Sequence, residues 1–307
     1  MIKGHRSLMN ANSTRLFKNK ASVKYTVLFF LCSLFFIGLT GCASIISSTT
    51  SDMMTHLSES ISNNDDLEIV EAGAPAYLLM IDSFILKDPD NQKMLYTAAG
   101  LYASYADFFI TDPVRSKRMA NKALEYAKKA ICLSASDACD LKSKSFEGFT
   151  RTIADMNASH VPVLFALGDS WARWIMANKT DFDALADIAH IEVIMKRVTQ
   201  LEPDYRDGAA YLYLGTLASL FPPALGGNPE LGRAYFETAL TLARDKNLMA
   251  KVLYAKFYAR MIFDRPLHDR LLKEVLKADP YVPGYTLVNT RARQQAERLL
   301  MDADDYF

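Results

Sequence analysis

Metal and nucleophile chemistry has little to work with in this chain. Four cysteines and five histidines are spread over 307 residues. The histidines are His5, His56, His160, His190 and His268, and none of them forms an HExxH run or another paired metal spacing. His190 and Glu192 stand two apart, which on a helix turns their side chains about 200° away from each other. Gly168-Asp169-Ser170-Trp171-Ala172 lacks the closing glycine of a nucleophile elbow and falls in a helical stretch. Neither a phosphate-cradling Walker loop nor a dinucleotide fingerprint is present. Acid pairs such as Asp65-Asp66 and Asp304-Asp305 read as solvated turns and tails. These absences predict a protein without a metal, a cofactor or a catalytic centre, and so not an enzyme.

No charge of either sign is in excess, with 35 basic and 35 acidic side chains. The balance hides an asymmetry. Residues 1–41 hold Lys3, Arg6, Arg15, Lys18, Lys20 and Lys24 and no acid. Setting these six aside leaves the rest of the chain at about −6. A mildly acidic module has no footprint for nucleic acid, whose phosphates call for clustered Lys and Arg. Alternating β-branched runs are missing as well, so no sheet is expected. Apolar residues are abundant at 50%, enough to bury a sizeable core.

The N-terminus reads as an address and an anchor. A basic stretch precedes an apolar run, Tyr25 to Leu39 (YTVLFFLCSLFFIGL), which is short for a membrane span of roughly 20 residues. Leu39-Thr40-Gly41-Cys42-Ala43 follows directly and resembles the lipobox of bacterial lipoproteins. The resemblance implies cleavage before Cys42 and acylation of its sulfur and amine. Ala43, where an Asp would favour retention in the inner membrane, implies the periplasm-facing leaflet of the outer membrane. Met9 offers an alternative start to Met1. The expected organisation is a signal peptide over 1–41, a lipidated tether with a short helix over 42–63, and a helical-repeat binding domain over 64–307. Two cysteines remain in that domain. Cys132 and Cys139 either close a small loop as a disulfide or stay as two buried thiols, and their spacing does not decide between them.

Past residue 65 the chain reads as helix after helix. Leu95, Ala98, Ala99, Leu101, Tyr102, Tyr105 and Phe109 make one apolar face. Asp112-Pro113 follows as an N-cap with proline in the first turn, and Ala120, Ala123, Leu124, Ala127, Ala130 and Ile131 make the next face. The same two-helix grammar recurs over Val163–Met176 with Asp183–Leu201, over Asp207–Leu220 with Pro229–Ala243, and over Leu248–Phe263 with Leu267–Ala278. A last amphipathic helix, Leu287–Met301, closes the series. Tyr211, Leu214, Gly215 and Ala218, then Phe236, Ala239 and Leu240, fit the tetratricopeptide spacing, but the loop between the two sets is five residues too long. The fold class expected is all-α: a degenerate tetratricopeptide-like α-solenoid of antiparallel helix pairs with a C-terminal capping helix.

The block Leu220-Phe221-Pro222-Pro223-Ala224-Leu225-Gly226-Gly227-Asn228-Pro229-Glu230, with Ala234 to Leu240 after it, resembles the T component family associated with TRAP transporters, the tripartite ATP-independent periplasmic carriers. Gly73-Ala74-Pro75-Ala76-Tyr77, Ala98–Ala106, Trp171-Ala172-Arg173-Trp174-Ile175 and Asn289 with Ala292, Ala296, Leu299 and Leu300 extend the likeness over about residues 65–307. The resemblance implies a periplasmic lipoprotein that partners the solute-binding protein of a TRAP system, with a homotrimer and a small hydrophobic ligand as further expectations. A groove binding such a ligand or partner would use Tyr102, Tyr105, Trp171, Trp174, Tyr211, Phe221, Asn228 and Asn289. For the Tyr and Trp pairs a plain core role is an equal alternative, and for Gly226–Pro229 a tight turn with an N-cap. A second expectation, needing only the repeats and the anchor, is a scaffold in envelope or outer-membrane assembly.

Overall fold

A computed structural model describes residues 56–307. The signal peptide, Cys42 and the first part of the tether lie outside those residues. Among the described residues every regular element is helical and no strand occurs. Residues 56–62 are helical. The long elements that follow are α1 (Leu67–Lys87), α2 (Gln92–Phe109), α3 (Pro113–Ser134), α4 (Phe146–Ala154) and α5 (Val161–Ala177). Then come the short α6 (Phe182–Ala186), α7 (Ile188–Leu201), α8 (Ala209–Ala218), α9 (Pro229–Ala243), α10 (Leu248–Leu253), α11 (Arg265–Lys277), α12 (Thr286–Met301) and the short α13 (Ala303–Tyr306).

Local chemistry sets most of these boundaries. Asp112 accepts from Arg115 N to cap α3, and Asn228 accepts from Leu231 N to cap α9, each with proline in the first turn. Asp66, Asn91 and Asp264 cap α1, α2 and α11 in the same manner. One expected helix, Asp183–Leu201, is broken in two at Asp187. The Asp187 carboxylate accepts from Trp171 Nε1 at 3.1 Å and pairs with Lys142 at 3.0 Å. Holding this residue inward costs the helix its regular turn. Another, Leu248–Phe263, widens into a π-helical turn over Tyr254–Ala259 and stops at Phe263, whose φ of 57° no helix accepts. The structure also supplies α1 and α4, whose limits the apolar pattern does not mark.

Residues 61–307 form one compact unit. Each helix packs mainly on its neighbours in the chain: α2 on α3, α3 on α5, α5 on α7, α7 on α8, α8 on α9. The α8–α9 contact shows why small residues recur. A Cβ on Gly215 would meet the Phe236 ring at 3.0 Å, and one on Gly232 would reach Ser219 Oγ at 2.3 Å. The loop between these helices turns on Gly227, where a Cβ would strike the Phe221 carbonyl oxygen at 1.6 Å. Cys132, at the end of α3, is bonded to Cys139 in the connection to α4. The end of this unit returns to its first residues: α12 packs on α1, Gly284 N donates to Asn63 Oδ1 at 2.7 Å, and the Tyr281 hydroxyl donates to Asp65 at 2.8 Å.

Candidate functional site

The eight residues expected in a groove do not come together. Trp171 is fully buried, stacked on His190 and bonded to Asp187. Trp174 is half-buried on the outside of α5, donates to Asn121 Oδ1 at 2.6 Å and lies under the Lys142 ammonium. Tyr102 is buried, and its hydroxyl donates to Asp82, which also takes the Tyr126 hydroxyl and Lys122. That carboxylate ties α1, α2 and α3 together. Tyr105 is buried and donates to the Glu71 carbonyl across α1 and α2. Tyr211 lies beside Tyr235 in the α8–α9 contact. Phe221 is exposed in the long loop, and Asn228 caps α9. Asn289 is wholly buried: its Oδ1 accepts from Leu248 N at 2.9 Å, and its Nδ2 donates to the carbonyls of Lys246 at 2.9 Å and Pro280 at 3.3 Å. It brackets α12 to the start of α10.

A different set of residues does converge. The Tyr285 hydroxyl, just before α12, donates to Asp207 in the α7–α8 turn. In the same turn Arg206 lies over the rings of Phe165 and Tyr205, and Phe165 touches both Tyr205 and Tyr213. Tyr213 donates to Asp169, which pairs with Arg173 Nε at 2.8 Å, and Arg173 reaches on to Asp107 of α2. Asp107 in turn acts electrostatically on Arg291, back on α12. This path starts at Tyr285, the residue before α12, runs through the α7–α8 turn, α8, α5 and α2, and comes within electrostatic reach of Arg291 on α12, so these elements turn sides toward a common face. On α2 that face carries Tyr96, Gly100, Ala103 and Asp107 on successive turns. A Cβ added at Gly100 would meet nothing within 4 Å, so the middle of the face is open.

The two ends of this face differ in character. Tyr96, Phe165, Tyr205 and Tyr285 gather around Arg206 at one end. Arg206 and Asp207 both adopt left-handed backbone, with φ of 49° and 52°, directly before Gly208 at 80°. Two consecutive non-glycine residues there hold local strain, as Arg244 and Asp245 do after α9. At the other end Arg173 stands between two carboxylates. Burial alone would weaken its charge, but Asp169 and Asp107 outweigh burial and hold it well above the ordinary arginine value. Burial and Asp169 push the Tyr213 phenol far up, so it stays a donor. Arg291 is the exception. Its Nε is buried without a partner, it donates only to Gln294 Oε1 at 3.2 Å, and neither it nor Arg298 forms an ion pair among the described residues. Burial first, and Arg298 second, hold its guanidinium below the ordinary arginine value.

Sequence reasoning misses this face because it follows buried apolar stripes, and the inner residues lie beside those stripes. The available signal is the spacing of four and three: Tyr96, Gly100, Ala103 and Asp107 on one helix, Phe165, Asp169 and Arg173 on another. Elsewhere two shallow depressions of about 440 Å³ each occur. One lies beside the Cys132–Cys139 bridge and Trp171, and its lysines are already paired with Glu125, Asp90 and Asp187. The other lies at the seam of residues 65 and 281 with α12. Helix α1 is long and apolar enough to cross a membrane by length and composition. It packs on α2 and α12, and leaves Ile69, Leu79 and Leu86 on one exposed side. Among the described residues no group of three or more His, Cys, Asp or Glu could hold a metal ion.

No curated protein sequence matches the chain significantly. A family profile described as TRAP transporter T-component does match, over residues 63–307. That span takes in all of α1 to α13, the Phe221–Pro229 loop and the whole inner face. The chain therefore belongs to the TRAP transporter T-component family, which associates it with a TRAP transporter.

Proposed function

We propose that this protein is a periplasm-facing lipoprotein, anchored through Cys42 in the inner leaflet of the outer membrane. In this reading it docks the solute-binding protein of a TRAP transporter and holds a small apolar or amphipathic ligand in the groove bordered by α2, α5, α8 and α12. The observation that carries the reading is the family match across the full helical array. The chain-ordered stacking supports a degenerate tetratricopeptide-like solenoid, whose first helices supply a concave surface. The open floor at Gly100 and the aromatic rings at one end suit retention of a ligand without transformation. The exposed side of α1 offers apolar area to a protein partner.

The test is co-sedimentation of the mature chain with a TRAP solute-binding protein from the same genome. A complex is expected, and it weakens when Leu79 and Leu86 are both replaced by Glu. Two species sedimenting independently at high protein concentration would overturn the docking assignment.

A further inference from the structure

Arg291 is a costly residue to place where it stands. Taking a guanidinium out of water is unfavourable unless its donors find acceptors. Arg173, on the same face, meets that condition with two carboxylates. Arg291 does not: its Nε is buried and unpartnered, and its one hydrogen bond goes to the neutral Gln294 on its own helix. Arg298 stands seven residues on, on the same side of α12 and about 10 Å away along the helix, also without an ion pair. Two like charges turned to one side repel each other. The nearest opposite charges, Asp107 and Glu71, act only at a distance, and Asp107 is already engaged by Arg173. Nothing in the fold gains from this arrangement, since the core side of α12 is carried by Ala292, Ala296 and Leu299.

We infer that Arg291, with Arg298, is the seat for the carboxylate of an elongated amphipathic acid whose apolar body lies along the groove toward Tyr96 and Tyr285. The inference rests on the groove reading above and adds the chemical class of the ligand. An anion between the two guanidiniums would satisfy the orphaned Nε, relieve the repulsion and meet forked donors suited to a carboxylate. The face is long enough for such a molecule: from Tyr96 to Asp107 is about 16 Å along α2. Its middle is open at Gly100, so a chain can pass between the polar and the aromatic ends.

The test uses the whole mature chain and three probes that share a ten-carbon tail: decanoate, decanol and decyltrimethylammonium. Calorimetric titration should show decanoate binding at least about tenfold tighter than decanol, the worth of one charge-assisted contact. The cationic probe should bind weakest. R291Q should bring decanoate and decanol to within about twofold of each other, and R291K should restore part of the preference. G100W, which fills the open floor, should abolish binding of all three. R291Q should also leave the melting temperature unchanged or raised, because it removes a charge that the fold does not use. Equal affinity for decanoate and decanol in the parent would overturn the acid assignment and leave the groove standing. Failure of every probe to bind, or binding untouched by G100W, would overturn the groove as well. A marked fall in the melting temperature of R291Q would show that Arg291 serves the fold.

Discussion

Replacing Asn289 by alanine should unfold this protein more readily without touching the inner face. The side chain is wholly buried and makes three hydrogen bonds to backbone groups of residues 9 to 43 positions away. Each such bond contributes about 1 kcal/mol net. The loss is larger for Leu248 N, since Leu248 is itself buried and water cannot replace the acceptor. The small cavity left by the amide adds to it. Together these give a destabilisation of about 3 kcal/mol. For a domain of this size that is a fall in melting temperature of about 6–12 °C. Asn289→Asp should be worse at neutral pH, because it keeps the acceptor but turns a carboxylate toward the carbonyls of Lys246 and Pro280. Urea unfolding followed by circular dichroism gives the free-energy difference, and thermal melts give the shift. A loss below about 1 kcal/mol in the alanine variant would refute the bracket. So would a loss of ligand affinity in protein shown to be folded.

Three further outcomes follow from the fold. Asp82 is pushed up by burial, but Lys122 and the hydroxyls of Tyr126 and Tyr102 outweigh this and hold its carboxyl below the usual value of 3.8. The stability it contributes is therefore complete above about pH 5 and is lost as pH falls through the lowered folded value, so Tyr102→Phe should cost about 2 kcal/mol at pH 7 and less in acid unfolding titrations. Gly227→Ala sets a Cβ against the Phe221 carbonyl oxygen, where only backbone movement can relieve it. It should disorder the long loop and raise proteolytic cleavage there, and a variant as resistant as the parent would contradict the geometry. Reducing the Cys132–Cys139 bridge frees a loop of eight residues and should lower stability by about 2.5 kcal/mol, measurable as a shift of the urea midpoint with and without reductant.

Helix positions were legible in the chain to within a few residues wherever capping chemistry marks them. Asp112 with Pro113 and Asn228 with Pro229 open α3 and α9 in the structure as their residue types predict. The breaks were not legible. Asp187 interrupts a helix because of Trp171 and Lys142, and no local pattern announces partners 16 and 45 positions away. The aromatic residues show the same limit. Tyr102 and Trp171 fit a groove or a core equally well by spacing, and only their long-range partners, Asp82 and Asp187, assign both to the interior.

What the amino-acid order determined alone was local: an all-helical chain, its apolar stripes and many of its caps. These depend on interactions within a turn or two of the backbone, and a 3.6-residue period reports them directly. The tertiary structure decided which of the remaining sides face one another. The Asp107–Arg173–Asp169–Tyr213 chain and the solitary Arg291 exist only because α2, α5, α8 and α12 are brought together across nearly two hundred residues. A side chain's direction is set by its own helix, but its neighbour across the groove is set by the packing of every helix in between.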